Sequence, residues 1–181
     1  ADLEDGIAAI TFSTGMAAIS ATFLSLLRAG DHIIMSQFLF GNTSSLASTM
    51  QGLGIQISYV DVTDVQNVAA AITPETKLVY AETIANPATQ VADLSAIGQL
   101  CEQSKLLFVV DNTMTPANIF SPKSVKASLT IASLTKYVAG HGNVLGGVVV
   151  DTGLFDWSEF HNILPIYRSA DTQQWGLTQI K

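Results

Sequence analysis

Leu106-Leu107-Phe108-Val109-Val110-Asp111 is a run of five apolar residues that ends on a carboxylate. A strand with one wet face alternates apolar and polar residues, whereas an unbroken apolar run is what a strand covered on both faces requires. Runs of the same kind stand at 7–12, 32–36, 55–60, 77–82, 128–133 and 145–150. Between them lie segments of helical composition at 16–28, 43–52, 64–72 and 93–104. Gly30 and Gly54 stand where helices stop, and Asp64 and Asp93 where N-caps belong. This alternation predicts an α/β fold: a mostly parallel seven-stranded sheet flanked by helices on both faces. After Asp151 the regularity weakens, and the run through Trp157, His161, Pro165 and Trp175 reads as a helix followed by an irregular arm. No repeat or linker interrupts the chain, so 1–181 reads as one domain.

Composition narrows the function. Of 181 residues, 48% are hydrophobic and 13% charged, which suits a well-buried globular domain. The net charge is -7 and the eight Lys and Arg are scattered, so neither nucleic acid nor an anionic membrane is expected as a partner. Cys101 is the only cysteine; it reads as a buried apolar residue, and the absence of a disulfide pair fits a reducing cytoplasm. Apolar stretches break well short of the roughly 20 residues that a membrane helix needs, so a soluble protein is expected. The chain opens on Ala1 without an initiator Met and stops at Gln179-Ile180-Lys181, and it reads as a fragment.

In parallel sheets, ligands bind beyond the carboxyl ends of the strands, so the residues where each apolar run stops carry the information. The first run ends in Ser13-Thr14-Gly15-Met16 and passes straight into a helix. A glycine there exposes N–H groups at a helix N-terminus, where a phosphate is favoured; an ordinary turn capped by Thr14 is the alternative. Phe40, ahead of Gly41, is either core or a ring that stacks on a flat ligand. Asn86, in the loop after Glu82, is either a turn former before Pro87 or an amide donor. Asp111 is either bonded to the turn at Asn112 and Thr113 or paired with a buried cation such as a protonated pyridine. Lys136 separates these readings. It lies between the run 128–133 and the glycine-rich Gly140-His141-Gly142, flanked by the hydroxyls of Ser133 and Thr135. In a chain so poor in basic residues, a lysine at that rim is a candidate nucleophile. His141 reads as structural, and no His or Cys is spaced to make a metal site.

Taken in order, Ser-x-Gly-Met-Ala at 13–17, aromatic-Gly at 40–41, Glu-Thr-x-x-Asn-Pro at 82–87, Val-Val-Asp-Asn-Thr at 109–113, Ser-x-Thr-Lys-Tyr at 133–137 and Gly-His-Gly-x-x-x-Gly-Gly at 140–147 resemble the Cys/Met-metabolism pyridoxal-phosphate enzymes. The resemblance covers nearly the whole chain. It implies the large domain of a fold type I transferase, with pyridoxal 5'-phosphate as cofactor. Gly15, Met16, Ser133 and Thr135 would hold the phosphate with Thr14 beside them. Phe40 would stack on the ring and Thr113 would lie against its other side. Asn86 would face the ring oxygen, Asp111 would bond the ring nitrogen, and Lys136 would carry the cofactor covalently and later move protons at the substrate's α and β carbons.

The resemblance further implies an amino-acid substrate and a homodimer or homotetramer. Family members usually have Tyr where Phe40 stands, and methionine γ-lyases tend to have Cys where Asn42 stands. Both departures point to γ-replacement on an O-acylhomoserine by sulfide or a thiol, ahead of cystathionine γ-synthase or a γ-lyase. The family's N-terminal arm and C-terminal domain are not visible in the sequence, which leaves a truncated, non-catalytic domain as the reading from a different class.

Overall fold

The computed structural model describes residues 1–168 and 174–181. Its regular elements, in chain order, are β1 (Ala8–Phe12), α1 (Gly15–Leu26), β2 (His32–Ser36), α2 (Gly41–Gly52), β3 (Gln56–Val60), α3 (Val65–Ala70), β4 (Thr76–Glu82), α4 (Leu94–Ser104), β5 (Leu107–Asp111), β6 (Leu129–Ser133), β7 (Gly147–Asp151) and α5 (Trp175–Ile180). The strands form one sheet in the order β1-β7-β6-β5-β4-β2-β3. β7 runs antiparallel to β1 and to β6, and every other pairing is parallel. The expected seven-stranded, mostly parallel sheet is therefore present.

Side chains alternate across the sheet and split the core in two. Ile33 and Met35 of β2, Leu78 and Tyr80 of β4, and Leu107 and Val109 of β5 pack with Phe23 and Leu26 of α1 and with Leu177 and Ile180 of α5. Ile34, Val79, Ala81, Phe108 and Val110 face the other way, onto Val68 of α3 and Leu94, Ile97 and Cys101 of α4. Only the inner strands are covered on both faces. The edge strands β1 and β3 keep exposed positions, because each has a neighbour on one side only.

Several boundaries differ from the sequence reading, each for a local reason. α1 ends at Leu26 rather than at 28, because the Asp31 carboxylate accepts the Arg28 N–H at 2.6 Å and draws the backbone out of the helix. α2 begins two residues earlier than expected, at Gly41. Asp111 is the last residue of β5, in register with Glu82 of β4 and Ile131 of β6. β7 starts at Gly147 instead of 145, since Gly146 bonds through both its N–H and its carbonyl to the Thr135 hydroxyl, at 3.0 and 3.2 Å. The expected helix after Asp151 is not formed. Trp157 Nε1 donates to the buried Asp151 at 2.9 Å and Asp156 caps Ser158, so the chain makes a short 3-10 turn at Trp157–Glu159. A second turn, Pro165–Tyr167, comes next. Residues 169–173 of the expected arm lie outside the described residues.

Phe23 anchors the covering helix α1 to β4. It is fully buried, and its ring meets that of Tyr80 edge-on at 5.2 Å. Phe23→Ala should lower unfolding stability by about 3–5 kcal/mol, read as a shift of the urea midpoint at unchanged slope.

Candidate active site

The carboxyl ends of β1, β2, β4, β5 and β6 open on a single cavity of about 630 Å³, a size usual for small-molecule and cofactor sites. Thr14, Gly15, Met16, Phe40, Asn86, Asp111, Thr113, Ser133, Thr135 and Lys136 all line it. The fold thus brings every residue singled out in the sequence to one place.

At one end of the cavity, Thr14 is extended and its hydroxyl caps α1 by accepting the Ala17 N–H at 3.0 Å. The N–H groups of Gly15 and Met16, in the first turn, are left without intrahelical acceptors. A Cβ on Gly15 would come within 2.7 Å of the Ser133 Cβ, and one on Gly147 within 2.1 Å of the Thr14 carbonyl oxygen. Close backbone approach at these two glycines is therefore what presses the helix N-terminus against the ends of β6 and β7. The Ser133 hydroxyl has no hydrogen-bond partner among the described residues and is free for a ligand, whereas the Thr135 hydroxyl is taken up by Gly146. The two N–H donors and the Ser133 hydroxyl thus stand together at this end of the cavity, where the helix N-terminus favours an anion.

Toward the middle stands Asp111. Its Oδ1 accepts the Thr113 N–H at 2.9 Å and its Oδ2 the Tyr80 hydroxyl at 3.1 Å. The Thr113 hydroxyl in turn accepts the Ser133 N–H at 2.8 Å, tying the end of β5 to that of β6. Burial pushes the Asp111 carboxyl up from its ordinary range, against the pull of these bonds. No lysine or arginine pairs with it among the described residues. The turn reading of Asp111 is thus present in the structure, and the side chain lines the cavity without a cation partner among the described residues.

Glu82, the neighbour of Asp111 in the sheet, is not among the site residues that the sequence singles out. It is 8% exposed; Oε1 accepts the Phe40 N–H at 2.7 Å and Oε2 the Asn86 N–H at 3.3 Å. Burial, with Asp111 adding to it, raises its carboxyl to about 7. Tyr80 is a second such residue. Nothing local in Leu78-Val79-Tyr80-Ala81 distinguishes a tyrosine that props a carboxylate on the next strand from one that only fills the core.

Lys136 sits in a turn after β6, its N–H bonded to the Ser133 carbonyl at 3.2 Å. Its side chain is exposed at the mouth of the cavity and has no salt-bridge partner among the described residues. Tyr137 and Leu145, 56% and 69% exposed, flank the same mouth. His141 bonds the Ala139 carbonyl oxygen, the structural role expected of it. Among the described residues no cluster of His, Cys, Asp or Glu could hold a metal, and no helix is long and apolar enough to cross a membrane.

A helix N-terminus with two N–H groups lacking intrahelical acceptors, a carboxylate without a cation partner and a lysine without an acid partner among the described residues thus line one cavity at the strand ends of the sheet. The family profile described as "Cys/Met metabolism PLP-dependent enzyme" matches residues 1–170, and the chain belongs to that family. The O-acetyl-L-homoserine sulfhydrylase of Corynebacterium glutamicum is 37% identical over 182 residues, 98% of this chain and 42% of its own length. The L-methionine gamma-lyase of Pseudomonas deceptionensis is 40% identical over 152 residues, 83% of this chain and 38% of its own length. The solved O-acetylhomoserine sulfhydrylase of Wolinella succinogenes superposes with a TM-score of 0.90 at 37% identity, covering 99% of this chain and 52% of that one. The chain thus spans less than half the length of these two curated relatives.

The burial of Glu82 has a consequence for stability. Glu82 binds its proton more tightly folded, near 7, than its ordinary 4.5, so its contribution is fully present below pH 4.5 and is lost as pH rises through 7. Urea unfolding of cofactor-free protein should show the wild type losing on the order of 3 kcal/mol relative to Glu82→Gln between pH 4.5 and pH 8. An unchanged difference across that range would mean that Glu82 is not buried as an acid.

Proposed function

We propose that residues 1–181 are the cofactor-binding large domain of a pyridoxal-phosphate enzyme that replaces the γ-substituent of an O-acylhomoserine with sulfide or a thiol, giving homocysteine. The observation that carries this reading is Asp111: a carboxylate held by Tyr80 and Thr113, without a cation of its own, facing the cavity that Lys136 also lines. A protonated pyridine nitrogen is the cation that it suits. Bound there, the cofactor supplies an electron sink for negative charge developing at the substrate's α carbon.

The chain's own residues then divide the work. The N–H groups of Gly15 and Met16 and the Ser133 hydroxyl hold the phosphate, with Thr14 beside them. Thr135 joins them by turning its hydroxyl from the Gly146 carbonyl. Phe40 covers one face of the ring and Thr113 the other, and Asn86 donates to the ring oxygen. Asp111 keeps the ring nitrogen protonated, because a carboxylate in a poorly solvated place gains most from a cation beside it. Lys136 would hold the cofactor covalently, and its amine would serve as base and then acid for the protons at the substrate's α and β carbons.

Phe40 lacks the phenol that a tyrosine would bring to these proton transfers, which favours replacement, where sulfide adds at the γ carbon. The similarity to an L-methionine γ-lyase keeps elimination to a keto acid and ammonia as the second reading. A cytoplasmic homodimer or homotetramer is the setting we assign to the enzyme.

In the full-length protein, sulfide-dependent homocysteine formation from O-acetylhomoserine should exceed keto-acid release from methionine, and the reverse would establish the lyase. Lys136→Ala should lower turnover by about 10²–10⁴-fold and abolish the borohydride-trapped mass increase at that residue.

A further inference from the structure

Glu82 does something in this cavity that its place at the end of a strand does not require. Its two oxygens accept from backbone N–H groups on two different loops: Phe40, which leads from β2 into α2, and Asn86, which comes after β4 itself. The side chains of the same two residues line the cavity. Phe40 is the N-cap residue of α2 and makes no side-chain cap bond. Asn86 lies in a loop otherwise closed by the Ala85 N–H on the Gln90 carbonyl and the Thr89 N–H on the Ala85 carbonyl. Among the described residues, the carboxylate is thus the one hydrogen-bonded tie between the two loops at that point.

We propose that Glu82 is a positioning residue for the cofactor: a single buried carboxylate that, by gripping the Phe40 and Asn86 N–H groups, sets where the ring-covering side chain and the ring-oxygen donor stand relative to each other. The inference rests on the pyridoxal-phosphate site proposed for this cavity. Its logic is the count of acceptors. A buried N–H left without a partner costs about 1–3 kcal/mol, and two such groups converge on one side chain. A carboxylate supplies two acceptor oxygens, and a glutamine of the same shape supplies one acceptor and sets an NH₂ against the other N–H. Burial and the neighbouring Asp111 both work against charge at Glu82. A side chain that only filled this space would be more stable uncharged, so the acid is explained by what its second oxygen holds.

The test uses the full-length protein and three forms of it: wild type, Glu82→Gln and Glu82→Asp. Each is titrated with pyridoxal phosphate at pH 8.5, monitoring visible absorption and the circular dichroism that the bound cofactor acquires from a fixed, asymmetric seat. Glu82→Gln should bind about tenfold more weakly, the loss of one hydrogen bond to a charged acceptor, with weaker visible dichroism per bound cofactor. Glu82→Asp keeps the charge, but one methylene shorter it cannot span both N–H groups, and it should show the same loss in smaller measure. A Glu82 that served the fold alone would change thermal stability and leave the dichroism of each bound cofactor at the wild-type value, which overturns the proposal. If Glu82→Gln does not fold, Glu82→Asp with wild-type affinity and dichroism overturns it equally. A wild type that acquires no visible band overturns the site assignment itself and this inference with it, an outcome distinct from a wild type that binds and variants that match it.

Discussion

A sheet covered by helices on both faces leaves charged side chains little room in the middle of the inner strands, and so it favours them at the strand ends. The five apolar residues from Leu106 to Val110, leading into and along β5, pack under α1 and α5 on one side and under α3 and α4 on the other. Asp111 is the first position along that path where a charge can reach open space. Glu82 at the end of β4 and Ser133 at the end of β6 likewise stand where their strands meet the cavity. Because the strands concerned run parallel, their ends fall on one edge, and residues far apart in the chain become neighbours. The site is a consequence of the covering of the sheet, before any ligand is considered.

Placing carboxylates on that edge carries an electrostatic cost, and the surroundings show how it is contained. Glu82 and Asp111 are paired in register on adjacent strands, two acids where one would already be disfavoured. Each is given donors that prefer its charged form: the Phe40 and Asn86 N–H groups for Glu82, and the Thr113 N–H and Tyr80 hydroxyl for Asp111. Those bonds soften the penalty without cancelling it, for both carboxyls remain raised. The remainder is a standing preference for positive charge in the cavity. Tyr80 links this electrostatics to packing, since its ring is held edge-on by Phe23 in the core while its hydroxyl reaches the acid.

What the sequence discloses depends on how local the cause is. The inner strands are legible because each is a short apolar run, and Thr14, Asp64 and Asp93 are legible as caps because a cap acts over three residues. Lys136 stands out because basic residues are scarce. The misses arise where a distant partner decides. α1 stops early because of Asp31, and β7 starts late because Thr135 captures Gly146 across eleven positions. The segment after Asp151 forgoes its helix for the bond between Trp157 and a carboxylate buried in the sheet. Glu82 escapes notice because its partners lie 42 and 4 positions away, and no spacing rule announces that combination.

The way Phe40 is held bears on how one cavity serves related reactions. Its place is set through its main chain, by Glu82 on its N–H and by its position as the N-cap residue of α2, while the residue stands 41% exposed at the cavity. A ring seated by its backbone occupies the same position whether or not it carries a hydroxyl. Exchanging phenylalanine for tyrosine would add or remove a proton donor and acceptor without moving the covering surface, so the chemistry at this position can change while the seat of the ligand does not. That separation arises from geometry alone, since Glu82 bonds the main chain of Phe40 and leaves its ring untouched.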